Sequence, residues 1–423
     1  MTATAFARRR AAVLERLDGG AVVLPAAPEL TTGRDTEVRY VADAELYYLT
    51  GCAEPGAVAV LTAHEDGPFV LFVRPPDAEA ERWTGPRLGA ADAGARYGAD
   101  TVYTLDQVEE KLPLLLHDAP RLFVRLDSLR GRLEETVRES LRRARGQKQR
   151  SGKGPDTVVD PGAILDDLRI VKDDDEIHRI RQVVEITVRT FPEALARAGD
   201  GRGEWEVEAA MEAGFRSRGA DAYAFPTIAA SGPNATVLHY GANQRTMHDG
   251  ELLLVDAGAR LNHYNADITR TVPVGGSASP PGRDVLDAVH AARTAAIDAL
   301  RPGATIADVH DAARRVLATA MLDLGLAQGS LDELLEDEEK TKPYFPHRTS
   351  HWLGLDVHDV GGYTLHGEPR PLQAGMVLTV EPGLYIPTDD QNAPDELRGI
   401  GARLEDDVLV TDDGCENLSE GLS

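Results

Sequence analysis

Gly250-Glu-Leu-Leu-Leu-Val-Asp256-Ala-Gly258 and Gly375-Met-Val-Leu-Thr-Val-Glu381-Pro-Gly383 carry one pattern twice. Each runs glycine, apolar run, acid, one residue, glycine, with the acid six residues after the first glycine. A short apolar run between glycines reads as a buried strand. A carboxylate ending such a strand is expensive unless it is paired or metal-bound. A second acid follows each copy in strand-like sequence, Asp267 after the first and Glu405 after the second. A histidine precedes each copy, His239 in one case and His351 in the other.

Working outward, two helical patterns lead into each copy. They cover about Asp174–Ala198 and Glu204–Arg218 before the first, and Arg283–Leu300 and Ile306–Leu324 before the second. The second part of the chain therefore reads helix–helix–sheet, twice. Two such sheets about a pseudo-twofold would bring their acids together. The earlier part alternates short apolar runs (Ala21–Leu24, Ala57–Leu61, Phe69–Val73, Leu122–Leu126) with helical patterns such as Leu129–Arg145. That alternation predicts an α/β domain of about 150–165 residues. The polar, Gly- and Pro-containing stretch Gln147–Pro161 reads as a linker, and the charged stretch Asp332–Lys340 as a solvated face.

The composition of the 423 residues, 42% hydrophobic and 27% charged, is that of a soluble globular protein. No apolar run approaches the roughly 20 residues a membrane helix needs. Arg8, Arg9, Arg10, Glu15 and Arg16 interrupt the N-terminal stretch, which argues against an export signal. The two cysteines, Cys52 and Cys415, are too few for a disulfide scaffold and fit a reducing cytoplasm. Acidic residues outnumber basic ones 70 to 45, a formal charge of −25. Such a field repels nucleic acid and anionic membrane.

The acids point to the chemistry. Asp256, Asp267, Glu381 and Glu405 are four carboxylates in duplicated contexts, and Arg260, Arg270 and Arg403 are candidate counter-cations for them. Adding His351 gives an oxygen-rich set with one nitrogen, suited to two divalent ions such as Mn²⁺, Co²⁺ or Zn²⁺. Two dications about 3.5–4 Å apart would offset the four negative charges and generate a hydroxide at neutral pH. Hydrolysis of an amide bond is the implied reaction. His347-Arg-Thr-Ser-His351-Trp-Leu-Gly-Leu-Asp-Val-His358 holds three of the twelve histidines in twelve residues, where imidazole can ligate or donate to an oxyanion. His290 and His310 fall in helical patterns and read as structural or surface residues. No His-Glu-x-x-His, Gly-x-Ser-x-Gly or P-loop pattern occurs.

In these residues the chain resembles the pita-bread metallopeptidases. Asp256, Asp267, His351, Glu381 and Glu405 match the family's Asp–Asp–His–Glu–Glu order, including the eleven-residue step between the two aspartates. Ser350-His-Trp-Leu-Gly-Leu-Asp-Val-His-Asp-Val-Gly361 is similar to the signature of the Xaa-Pro aminopeptidases (aminopeptidase P, family M24B). Leu378–Ile386, Gly399–Asp407 and Leu168-Arg-Ile-Val-Lys172 agree with it, and Tyr47-Tyr-Leu-Thr-Gly51 with Glu54-Pro55 resembles the family's first domain.

The resemblance implies an α/β creatinase/prolidase-like domain over residues 1–165 and an α+β pita-bread catalytic domain over 166–423. It implies two divalent ions, Mn²⁺ ahead of Co²⁺ or Zn²⁺. Asp256 and Asp267 would hold one ion and His351 and Glu381 the other, with Asp267 and Glu405 bridging. Glu381 would shuttle protons, His239 would face the substrate, His358 would donate to the scissile carbonyl, and His347 would line the pocket. Arg403 would fix the ligands, and Tyr385 is either a site residue or packing. The substrate would be a peptide with proline second, whose tertiary amide lacks an N–H; the ring would rest against groups such as His239 or Trp352. A homo-oligomer, dimer or tetramer, in the cytoplasm completes the expectation. A prolidase, restricted to Xaa-Pro dipeptides, is the alternative. Methionine aminopeptidase, a metal-free creatinase-type enzyme and a binding protein without catalysis fit the retained motifs less well.

Overall fold

A computed structural model describes residues 3–64 and 67–422; Met1, Thr2, Glu65, Asp66 and Ser423 lie outside the described residues. The chain divides into two compact units, Met1–Leu168 and Arg169–Ser423.

The first unit is built on a six-stranded mixed sheet. Its strand order is Thr101–Thr104, Phe69–Val73, Val58–Leu61, Ala21–Pro25, Arg121–Phe123, Thr157–Val159. Ala21–Pro25 pairs antiparallel with Val58–Leu61 and parallel with Arg121–Phe123. These strands are apolar on both faces because helices cover both faces. Val23, Val60, Val70 and Phe72 share a core with Leu112 and Leu116, and with Val137 from the helix Gly131–Ser151. The linker expected at Gln147–Pro161 is a misreading. The helix Gly131–Ser151 runs through its first part, since Gln, Lys and Arg are good helix formers, and stops where Gly152 turns left-handed (φ 71°). Thr157–Val159 then adds a parallel edge strand beside Arg121–Phe123, as its β-branched residues favour.

The second unit is doubled. The helices Asp174–Leu195 and Glu204–Ser217 precede a three-stranded sheet of Ile228–Ser231, Leu252–Ala257 and Ile268–Pro273. The helices Pro280–Ala299 and Ile306–Asp323 precede a second sheet of Val377–Val380, Asp406–Val410 and Cys415–Asn417, with a hairpin of Gly383–Ile386 and Ile400–Arg403. Local sequence sets the helix starts. Asp173 and Glu176 form a reciprocal capping box, as do Thr305 and Asp308, and Ser279 caps a helix that opens on Pro280. Val289, Leu317 and Met321 of the second helix pair pack with Leu378, Leu384 and Val408 of the sheets. The stretch Asp332–Lys340 is largely exposed and folds into a short helix, Leu331–Glu336, and one 3₁₀ turn. His310 is buried against Phe345, and His290 is exposed.

Hydrogen bonds join the two halves at the centre. Glu405 N–H donates to the Thr269 carbonyl (3.0 Å), Asp267 N–H to Asp407 Oδ2 (3.1 Å), and Thr271 Oγ1 to the Arg403 carbonyl (2.8 Å). No helix among the described residues is long and apolar enough to cross a membrane.

Thr305→Ala removes a reciprocal cap away from the centre. It should lower stability by about 1 kcal/mol, seen calorimetrically as a fall of about 2–4 °C in the thermal midpoint. An unmoved midpoint would show that the cap contributes nothing.

Candidate metal centre

Each acid of the expected set sits at a strand end. Asp256 lies in Leu252–Ala257, opposite Thr269 in the register. Asp267 immediately precedes Ile268–Pro273, Glu381 follows Val377–Val380, and Glu405 fills the step between Ile400–Arg403 and Asp406–Val410. His351 is held on the neighbouring strand. Its N–H donates to Thr379 Oγ1 (3.2 Å), and its carbonyl accepts from Thr379 N–H (3.0 Å).

The structure brings all five together. One ligand atom each from Asp267, His351 and Glu405 lies within 4.8 Å of the others. His351 Nε2 is 3.4 Å from Asp267 Oδ2 and 3.6 Å from Glu381 Oε1. Asp256 is close enough to raise the pKa of Asp267. Burial, then the neighbouring Asp256, pushes Asp267 well above the usual carboxylate range. Burial, with Asp267, Glu381 and Asp256 behind it, does the same to Glu405. Glu381 rises to about 7 by burial, with His351 and Arg403 opposing and Asp267 and Asp256 adding. Like charges this crowded ionise together only around a cation.

Three details fit the residues to metal ions. The Asp256 carboxylate takes Arg403 Nη2 on Oδ2 (2.6 Å), while its buried Oδ1 has no hydrogen-bond partner. His351 Nδ1 lies 3.0 Å from the Trp352 carbonyl, so Nδ1 carries the proton and the Nε2 lone pair faces the acids. The donor set is four carboxylates and one imidazole, as hard-to-borderline divalent ions prefer. Of the candidate counter-cations, Arg403 pairs directly with one of these acids, Asp256. Arg270 instead binds Asp406 (2.8 Å) and the Glu405 carbonyl (2.6 Å).

Arg403 organises the floor. Besides Asp256, its Nη1 donates to the Tyr385 hydroxyl (3.1 Å) and its Nε to Thr269 Oγ1 (3.2 Å), which in turn donates to Glu405 Oε2 (2.7 Å). Tyr385 hydroxyl contacts His347 Nε2 (2.8 Å). His347 Nδ1 lies 2.9 Å from the Arg348 carbonyl, so the neutral ring accepts at Nε2. Burial lowers the His347 pKa to about 4, which keeps it neutral.

A cavity of about 800 Å³ opens over the acids. His239, His347 and His358 line it, as do Phe225, Pro226, Ile228, Leu238, Val357 and Tyr363. His239 and His358 are exposed to it, and His358 stands edge-on to His351, with ring centroids 4.3 Å apart. Burial and then His351 lower the His358 pKa.

One expected contact is wrong. Trp352 does not line the cavity; it is 1% exposed and donates Nε1–H to the Gly361 carbonyl (3.2 Å). Its ring supports Tyr363, which does line the cavity (centroids 5.7 Å apart). Sequence reading passed over Phe225, Tyr363, Thr269 and Asp407. Of these, only Asp407 carried a signal, as an acid beside the expected ligand Glu405. It is fully buried and accepts from Asp267 N–H.

Fold and site together define a metallopeptidase. Residues 178–412 match "Metallopeptidase family M24" and residues 6–123 match "Aminopeptidase P, N-terminal domain". The chain belongs to the aminopeptidase P family within the M24 metallopeptidases. It is 36% identical to the Xaa-Pro aminopeptidase of Escherichia coli K12 over 99% of this chain and 94% of that protein. Pseudomonas aeruginosa aminopeptidase PepP superposes with a TM-score of 0.95 at 38% identity, covering 100% of this chain and 96% of that one. A Zn-substituted Escherichia coli aminopeptidase P in complex with product superposes at 0.94 with 35% identity, covering 100% and 96%.

The raised Glu381 pKa gives a signed expectation for chelated protein. A carboxyl raised from 4.5 to about 7 binds its proton more tightly when folded, so its contribution is full below 4.5 and lost as pH rises through 7. Denaturant unfolding in chelator should show wild type losing ground to Glu381→Gln across that window, and Mn²⁺ should remove the loss. A pH-independent difference would contradict the burial assigned to Glu381.

Proposed function

We propose that this chain is a metal-dependent aminopeptidase that releases the N-terminal residue from peptides with proline second. The observation that carries the reading is the convergence of Asp256, Asp267, His351, Glu381 and Glu405 beneath a histidine-rimmed, apolar-walled cavity. Asp256, Asp267, His351, Glu381 and Glu405 would hold two divalent ions, Mn²⁺ first among the candidates. When bound, such ions lower the pKa of water and polarise a carbonyl.

The chain's own residues do the rest. Glu381 takes a proton from the attacking water and delivers it to the proline nitrogen as the C–N bond breaks. His358, whose pKa partial burial lowers, donates to the scissile carbonyl oxygen as charge develops there. The chain Arg403–Tyr385–His347 fixes one wall, and Arg403 also holds Asp256 and, through Thr269, Glu405. His239 with Phe225, Ile228 and Leu238 provides a wall for the proline ring. The absence of an N–H at the scissile nitrogen leaves no buried donor to satisfy there. We place the enzyme in the cytoplasm, in keeping with its two free cysteines, and read it as a homo-oligomer, dimer or tetramer.

The deciding assay compares Arg-Pro-Pro with Arg-Pro under Mn²⁺, Co²⁺ and Zn²⁺ in turn. Cleavage of the tripeptide supports an aminopeptidase; cleavage of the dipeptide alone makes the chain a prolidase. Asp267→Ala should abolish turnover and reduce bound metal, and full turnover would contradict the role given to it. His358→Ala should cut kcat about 10²–10³-fold, by analogy with loss of an oxyanion donor, with metal content retained. Loss of metal in that variant would make His358 a ligand instead.

A further inference from the structure

His239 and His358 both lie in irregular backbone, outside any strand or helix that would fix them. Each is followed by a residue tied into a buried carboxylate that is not among the proposed ligands.

Beside His239 that carboxylate is Glu204, the fully buried first residue of the helix Glu204–Ser217. Five donors converge on it. Oε1 accepts from Ser231 N–H (2.7 Å), Ser231 Oγ (2.7 Å) and Asn234 Nδ2 (3.1 Å). Oε2 accepts from the Tyr240 hydroxyl (3.0 Å) and Arg245 N–H (2.8 Å). The Arg245 guanidinium is turned to Glu251 instead (2.6 Å), so neutral groups alone make these five bonds. The donors bracket His239 along the chain, from Ser231 and Asn234 before it to Tyr240 and Arg245 after it.

Beside His358 the carboxylate is Asp359 itself. Lys172 Nζ reaches Oδ2 (2.8 Å), and Arg169 Nη2 binds Oδ1 and also Asp356 (2.7 Å). The side chains of Arg169, Lys172 and Asp359 are all nearly inaccessible to solvent. Asp359 N–H donates to the Trp352 carbonyl (2.8 Å), and Asn265 Nδ2 holds the Gly354 and Leu355 carbonyls (3.1 and 2.9 Å). A buried ionic cluster has few alternative geometries, because moving any member strands a charge.

We propose that Glu204 and Asp359 are positioning residues for the reaction, each serving one cavity histidine: Glu204 holds His239 through Tyr240, and Asp359, pinned by Lys172 and Arg169, holds His358. The inference rests on the substrate-facing roles given to these histidines above. It assigns the two flanks separate supports, so damage to one is not felt at the other.

Four double-mutant cycles test it on the full-length, Mn²⁺-loaded protein, with Arg-Pro-Pro as substrate and metal content and thermal midpoint recorded alongside. Glu204→Gln keeps shape but faces five donors with an amide; Lys172→Met removes one cation and leaves Arg169 with Asp359. Each should lower kcat about tenfold, the scale of a sub-ångström misplacement, with smaller effects on KM. Glu204→Gln should cause no further loss in a His239→Ala background yet its full loss in His358→Ala. Lys172→Met should do the reverse. Losses that multiply in every background, or that are absent in wild type, overturn the proposal, since a merely structural role is blind to which histidine is missing. If Glu204→Gln or Lys172→Met does not fold, Tyr240→Phe and Asp359→Asn take their places in the same cycles. Unchanged turnover in both single histidine variants would instead overturn the roles given to His239 and His358.

Discussion

Four carboxylates held at one point, with a single guanidinium among them, set the terms for everything else in the catalytic unit. Asp256, Asp267, Glu381 and Glu405 share one face with Arg403, and Arg403 has a direct bond to only one of them. The remaining charge must be met by bound cations or by protons. Burial and mutual repulsion raise Asp267, Glu381 and Glu405 for that reason. The surrounding scaffold resists this repulsion with rigid pieces: paired sheets, backbone bonds between halves, and Thr269 and Tyr385 spreading the influence of Arg403. Such a centre is poised to bind dications because the scaffold, rather than the ions, fixes where the oxygens stand.

Much of this was written locally. Phe69–Val73 reads as a strand and is one residue for residue, since five apolar residues between turn signals admit little else. The helix pairs were legible from periodicity, with ends fixed by caps such as Asp173 and Thr305. The acids stood out because a carboxylate ending an apolar run breaks the local rule of a buried strand. Where local rules and the fold agree, nothing marks a residue. Thr157–Val159 sat in a polar stretch, and its pairing with Arg121–Phe123 is a tertiary fact. Trp352, expected to meet the proline ring, is instead buried, since successive residues on extended backbone point to opposite sides. Glu204 was silent because the partners of its carboxylate lie 27 or more residues away in the chain.

The two units place different demands on the sequence. The first buries its strands under helices on both faces and keeps only a few polar side chains inside, such as Arg9 and Arg10 on the Tyr48 and Leu49 carbonyls. The second keeps polar groups inside, so each must find a partner: Arg270 with Asp406, Arg314 with Thr341 and backbone carbonyls, His310 with Thr349. Substitutions there act through stranded partners more than through lost volume.

The bonds joining the halves connect positions 132, 136 and 140 residues apart. Loop closure over such spans carries an entropic cost that must be met before the contacts reward it. Neither repeat holds the complete proposed ligand set by itself. A chain with only one half folded therefore has no complete cage, and hydrolytic capacity is withheld until both repeats have docked. On the proposed ligand set, ion capture would therefore be coupled to the docking of the two repeats across this long-range seam.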